Sequence, residues 1–139
     1  MSVHTQFGVT RAAGESSVDY PILREREGGW ELMGACCSEC GTVFYPPRAL
    51  CPHDLSECSE TALSPAGLLY SFTRIDVAPQ GFDPPYWIGY VDLDEGVRVL
   101  ARIRWRERGE PLVGNRVTLA VEVVREEPAT LGPVFEGPA

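Results

Sequence analysis

Five cysteines stand at positions 36, 37, 40, 51 and 58, and none follows in the rest of the 139-residue chain. Clustered thiols of this kind, in a chain that begins with a polar stretch and no secretion signal, point to a metal site in a reducing compartment, not to a disulfide scaffold. The run Cys37-Ser38-Glu39-Cys40-Gly41 has the form of a zinc knuckle. Two intervening residues let the chain turn so that both thiolates face one point, and Gly41 can take the positive φ that such a turn needs. Ten residues on, Cys51-Pro52-His53-Asp54 opens a second knuckle, in which the position that should repeat the spacing is Asp54. Three candidates for a fourth ligand stay open. Asp54 has the spacing, Cys58 the softer donor, and His53 a suitable nitrogen at an awkward offset. Cys36, next to Cys37, is expected to point away. The rival reading is a set of buried, metal-free cysteines. Four of them within 22 residues, with Gly and Pro at knuckle positions, weigh against it.

Two further groups carry polar chemistry. Phe82-Asp83-Pro84-Pro85-Tyr86-Trp87 puts three aromatics in or beside a stiff loop, which suits either packing over the end of a sheet or a docking surface. Arg102, Arg104, Arg106 and Arg108 alternate along one strand face, as a solvent face would or as a contact to an anionic ligand such as a CoA phosphate. No G-x-S-x-G, Gly-rich phosphate loop or His–carboxylate pair at helical spacing occurs, so no active site is complete.

The elements that must position these residues are short strands. The 14 Gly and 12 Pro fall between brief apolar runs, and the hydrophobic fraction of 44% suffices for a packed core. Residues 1–20 read as a loose arm, and Tyr20 to Glu31 as a helical turn or two ended by Gly28-Gly29. Trp30 to Ala35 and Val43 to Tyr45 read as ribbon strands. About five strands follow residue 66, with a tight turn at Asp94-Glu95-Gly96. Five strands in so short a length leave exposed edges unless the sheet closes, which predicts an OB-like barrel. The expected division is an arm at 1–29, a ribbon at 30–64, and a barrel with a C-terminal tail at 65–139.

All 12 basic residues are arginine, and the net charge is −8, which argues against a nucleic-acid partner. No stretch approaches the roughly 18 apolar residues of a membrane span, so a soluble, cytoplasmic protein is expected.

The order of motifs resembles a known family, the acyl-CoA-associated zinc-ribbon/OB-fold proteins catalogued as domain of unknown function 35. The resemblance rests on Cys37 to Gly41, Phe44 to Arg48 and Cys51-Pro52. It continues through Gly67 to Thr73, Gly89 to Arg98 and Gly114 to Val117. It implies a mainly β protein, a rubredoxin-like zinc ribbon followed by a five-stranded OB-fold barrel, with structural Zn2+. It also implies a non-catalytic subunit of a thiolase, retro-aldolase or HMG-CoA-synthase-like complex that acts on CoA thioesters. In such a complex the barrel packs on the thiolase-fold partner and can help form the acyl-CoA pocket. The residues above then become metal ligands (Cys37, Cys40, Cys51, with Asp54 or Cys58) and partner or CoA contacts (Phe82, Tyr86, Trp87, Arg102, Arg104). The departure at Asp54 leaves the fourth ligand open. A nucleic-acid-binding ribbon/OB module is the alternative function.

Overall fold

The computed structural model describes residues 22–126 and 129–138, and the expected arm at 1–20 lies outside them. Among the described residues every regular element is a strand: β1 Leu23–Arg26, β2 Gly29–Cys37, β3 Val43–Phe44, β4 Cys58–Ala62, β5 Ala66–Ile75, β6 Tyr86–Leu93, β7 Arg98–Trp105, β8 Arg116–Glu126 and β9 Ala129–Gly137. No helix among them is long and apolar enough to cross a membrane.

The segment expected to turn helically is instead a β-hairpin. β1 pairs antiparallel with β2, from Leu23 opposite Leu32 to Arg26 opposite Gly29. Two causes combine. Glu27 and Gly28 form a two-residue loop in which Gly28 sits at φ +86°, a left-handed conformation that glycine adopts without steric cost. The alternating charges that suggested a solvated helix face join across the strands, with Arg24 and Arg26 both reaching Glu31 at 3.1 and 3.3 Å. The hairpin therefore belongs with the ribbon, not with an N-terminal arm.

The ribbon sheet adds β3 and β4 on either side of β2. β4 begins at Cys58, and its register places Cys58 directly opposite Cys37.

Strands β5 to β9 close into a barrel in the order β5-β6-β7-β9-β8. Its five strands match the number read from the sequence, and the last of them, β9, forms a long hairpin with β8. Closure depends on β9 lying parallel to β7, Arg102 to Trp105 against Val134 to Gly137. Inward residues alternate along β7 as Val99, Ala101 and Ile103, all buried. The wall is tight: a Cβ on Gly89 would lie 2.4 Å from the carbonyl oxygen of Ser71.

Ribbon and barrel share one apolar core. Leu23, Leu32 and Leu63 pack with Leu69, Val91, Val99 and Phe135. The link between them is also bonded: Leu63 N–H donates to Leu32 O at 2.8 Å and Leu119 N–H to Pro65 O at 2.6 Å. Glu95, in the β6–β7 turn, accepts from both the amide and the hydroxyl of Ser64 at 2.8 Å.

Candidate metal centre

Two knuckles of matching geometry face one another. In the first, β2 ends at Cys37, Gly41 N–H donates back to Cys37 O at 3.1 Å, and Gly41 takes φ +75°. In the second, Leu55 N–H donates to Cys51 O at 2.8 Å, and Leu55 takes φ +63°. The second knuckle thus keeps the backbone turn while placing Leu where the first has Gly, and Asp54 where the first has Cys40.

The turns bring four donor atoms together. One atom each from Cys37, Cys40, Cys51 and Asp54 forms a set lying within 4.8 Å of one another. Cys40 Sγ is 3.8 Å from Cys51 Sγ, and Cys37 Sγ is 3.8 Å from Asp54 Oδ1. Metal–sulfur bonds of about 2.3 Å and metal–oxygen bonds of about 2.0 Å give tetrahedral S···S edges of ~3.8 Å and S···O edges of ~3.5 Å. The donor set therefore fits a tetrahedral zinc ion.

Backbone amides prepare the sulfurs. Glu39 and Cys40 N–H groups donate to Cys37 Sγ, and His53 N–H to Cys51 Sγ, each at 3.4 Å. The Thr42 hydroxyl, 3.2 Å from Cys40 Sγ, is the chief reason the Cys40 thiol is drawn down to about 6, with the Thr42 amide and His53 assisting. Burial pushes the Cys51 thiol up to about 11. The Ser56 amide, 2.9 Å from Asp54 Oδ1, holds that carboxyl below its usual value, so Asp54 is an anion ready to ligate.

The other sequence candidates fall outside this set. Cys58, half-buried at the start of β4, is not among the four, and burial raises its thiol. Cys36 projects away as alternation requires, its sulfur 3.6 Å from Gly41 O. The His53 ring is tilted against Phe44 with centroids 5.9 Å apart. Thr42 and Ser56 were missed; the Asp-x-Ser pattern of an Asx turn is the signal that could have found Ser56.

The aromatic and arginine candidates gather at one end of the barrel. The Arg102 guanidinium lies 4.0 Å over the Tyr86 ring and donates to Val124 O at 3.0 Å. Trp87 meets Phe72 edge-on at 5.4 Å, and Arg125, which the sequence did not single out, sits 5.6 Å over Phe82. Arg74, Pro85, Tyr86 and Trp87 line a shallow cleft there. The expected four-arginine face is shorter, because β7 ends at Trp105. Arg104 pairs with Glu122 and Glu136, and Arg106 with Glu136, so these two charges are already met by carboxylates.

Comparison with known proteins agrees with this architecture. Residues 31–59 match the family model for the ChsH2 rubredoxin-like zinc ribbon domain, and residues 60–122 that for the ChsH2 C-terminal OB-fold domain. A DUF35 domain-containing scaffold protein of Methanocaldococcus jannaschii is 32% identical over 100 residues, spanning 69% of this chain and 71% of its own. The benzoylsuccinyl-CoA thiolase subunit BbsA of Thauera aromatica is 34% identical over 96 residues, 68% of this chain and 66% of its own. Among solved structures, the Ltp2-ChsH2(DUF35) aldolase superposes with a TM-score of 0.64 at 27% identity, covering 76% of this chain and 84% of that one. With a rubredoxin-like zinc ribbon leading into a closed OB barrel, the chain belongs to the DUF35 family.

Proposed function

We propose that this chain is a non-catalytic accessory subunit that binds a thiolase-fold enzyme and supports its making or breaking of C–C bonds in acyl-CoA substrates. The observation that carries this reading is the likeness along two thirds of the chain to a protein named as a thiolase subunit, joined to a site with no catalytic equipment. The knuckle residues supply a full set of four ligands, which leaves no open coordination position, so the centre serves to hold the ribbon. In this reading Cys37, Cys40, Cys51 and Asp54 bind the zinc ion, which supplies cross-linking between the two knuckles and no reaction chemistry.

At the barrel end, Phe82, Tyr86, Trp87 and Arg102 are the residues proposed to meet the partner or the CoA moiety. Arg102 supports this, since stacking on Tyr86 fixes its guanidinium while donors remain for an anion. Arg104 is the weaker contact, being paired with Glu122 and Glu136.

Co-expression with a thiolase-fold protein from the same genome is the test. The expected result is a stable hetero-oligomer whose thiolase activity drops when this chain is withheld. Full activity and stability of the partner alone would sink the proposal.

A further inference from the structure

The two fourth-ligand candidates that the sequence left open occupy different places. Asp54 belongs to the four-atom set, whereas Cys58 lies across the sheet from Cys37. The manner of that pairing is informative. Cys37 N–H donates to Thr42 O at 2.9 Å, and Cys58 N–H donates to Ala49 O at 2.8 Å, so both amides bond elsewhere. The carbonyl of Cys37 likewise accepts from Gly41. The two cysteines therefore form a non-hydrogen-bonded antiparallel pair, the closer kind, with side chains on one face and Cβ atoms about 4.5–5.5 Å apart. Cys37 directs its sulfur into the donor set, and Cys58 starts from the same face of the same sheet. Cys36, on the opposite face, has no such access.

Asp54 is the one oxygen donor of the four, and so the ligand that a thiophilic ion holds least well. It is exposed and lies in the 52–56 loop next to Leu55, whose left-handed φ of +63° is unfavourable for a branched side chain. Cys58, by contrast, is held by its bond to Ala49 and by the bridge between Leu50 and Glu57 just before it. Its side-chain torsion is the freedom left to its sulfur, which starts from the Cys37 face of the sheet.

We propose that Cys58 is a reserve ligand: the centre takes zinc with three thiolates and the Asp54 oxygen, and takes a thiophilic ion such as cadmium with four thiolates, Cys58 replacing Asp54. The chemistry follows from donor softness, since a softer ion gains from exchanging a carboxylate oxygen for a sulfur within reach. The inference rests on the three-thiolate centre proposed above and is independent of any partner enzyme.

The test compares metal-substituted full-length protein with Cys58→Ser and Asp54→Ala. Cobalt, standing in for zinc, should give the same visible spectrum in wild type and Cys58→Ser, which also shows that the variant folds, and an altered one in Asp54→Ala. With cadmium, the thiolate charge-transfer absorbance should fall by about a quarter in Cys58→Ser, one thiolate in four, and stay unchanged in Asp54→Ala. Equal cadmium absorbance in Cys58→Ser and wild type would overturn the reserve ligand while leaving the three-thiolate centre intact. Failure of wild type to take up cobalt would overturn both.

Discussion

Asp54 and Leu55 show how a residue can depart from a motif while the backbone keeps it. The turn at Cys51 closes with the same bond as the turn at Cys37, yet it places a leucine, 73% exposed, in the left-handed region. Replacing Leu55 by Asn, which tolerates that region, should stabilise the chain by about 1 kcal/mol in chemical denaturation without altering zinc content. Cys58→Ala should leave one zinc per chain, Asp54→Ala should retain zinc only through the Cys58 thiol, and the double variant should lose it, as measured by metal analysis of protein purified without added metal. The convergence of Cys37, Cys40 and Cys51 was legible from their spacing. The choice among Asp54, Cys58 and His53 was not, because it depends on where β4 runs, and nothing in Cys58–Ala62 alternates strongly enough to announce a strand.

At the scale of elements, the barrel strands were readable because their apolar residues alternate with period two; Val97, Val99, Ala101 and Ile103 are all buried. The β1–β2 hairpin was not. Arg24-Glu25-Arg26-Glu27 has no apolar period, and its meaning lies in the cross-strand pairing to Glu31. The parallel contact of β9 with β7 was equally hidden, since local sequence carries no sign of a long-range neighbour. Two substitutions test these elements. Leu23→Ala removes a side chain only 2% exposed and should cost about 2–5 kcal/mol by urea denaturation, a loss that a free arm would not show. Gly89→Ala drives a methyl into the Ser71 carbonyl and should cost about 1–3 kcal/mol.

The distribution of charge over the whole molecule bears on the choice between protein and nucleic-acid partners. OB barrels and zinc ribbons both serve nucleic-acid binding elsewhere, so fold alone does not decide. A net charge of −8 is unfavourable for phosphate contacts, and two of the arginines that could have formed a local basic strip, Arg104 and Arg106, are met by carboxylates. Glu136 alone meets both Arg104 and Arg106, and Glu122 adds a second carboxylate to Arg104. The unmodified chain should therefore show no salt-sensitive retention of single-stranded DNA in a low-salt filter-binding assay. Glu122→Gln combined with Glu136→Gln makes the net charge less negative and frees two guanidinium groups, so weak retention that falls steeply with added salt should appear. Tight binding by the unmodified protein would reverse the assignment, because it would require a basic surface that the carboxylates of β8 and β9 do not leave open. Absence of binding in both proteins would place the neutralising surface elsewhere on the molecule and leave the docking of a protein partner unaffected.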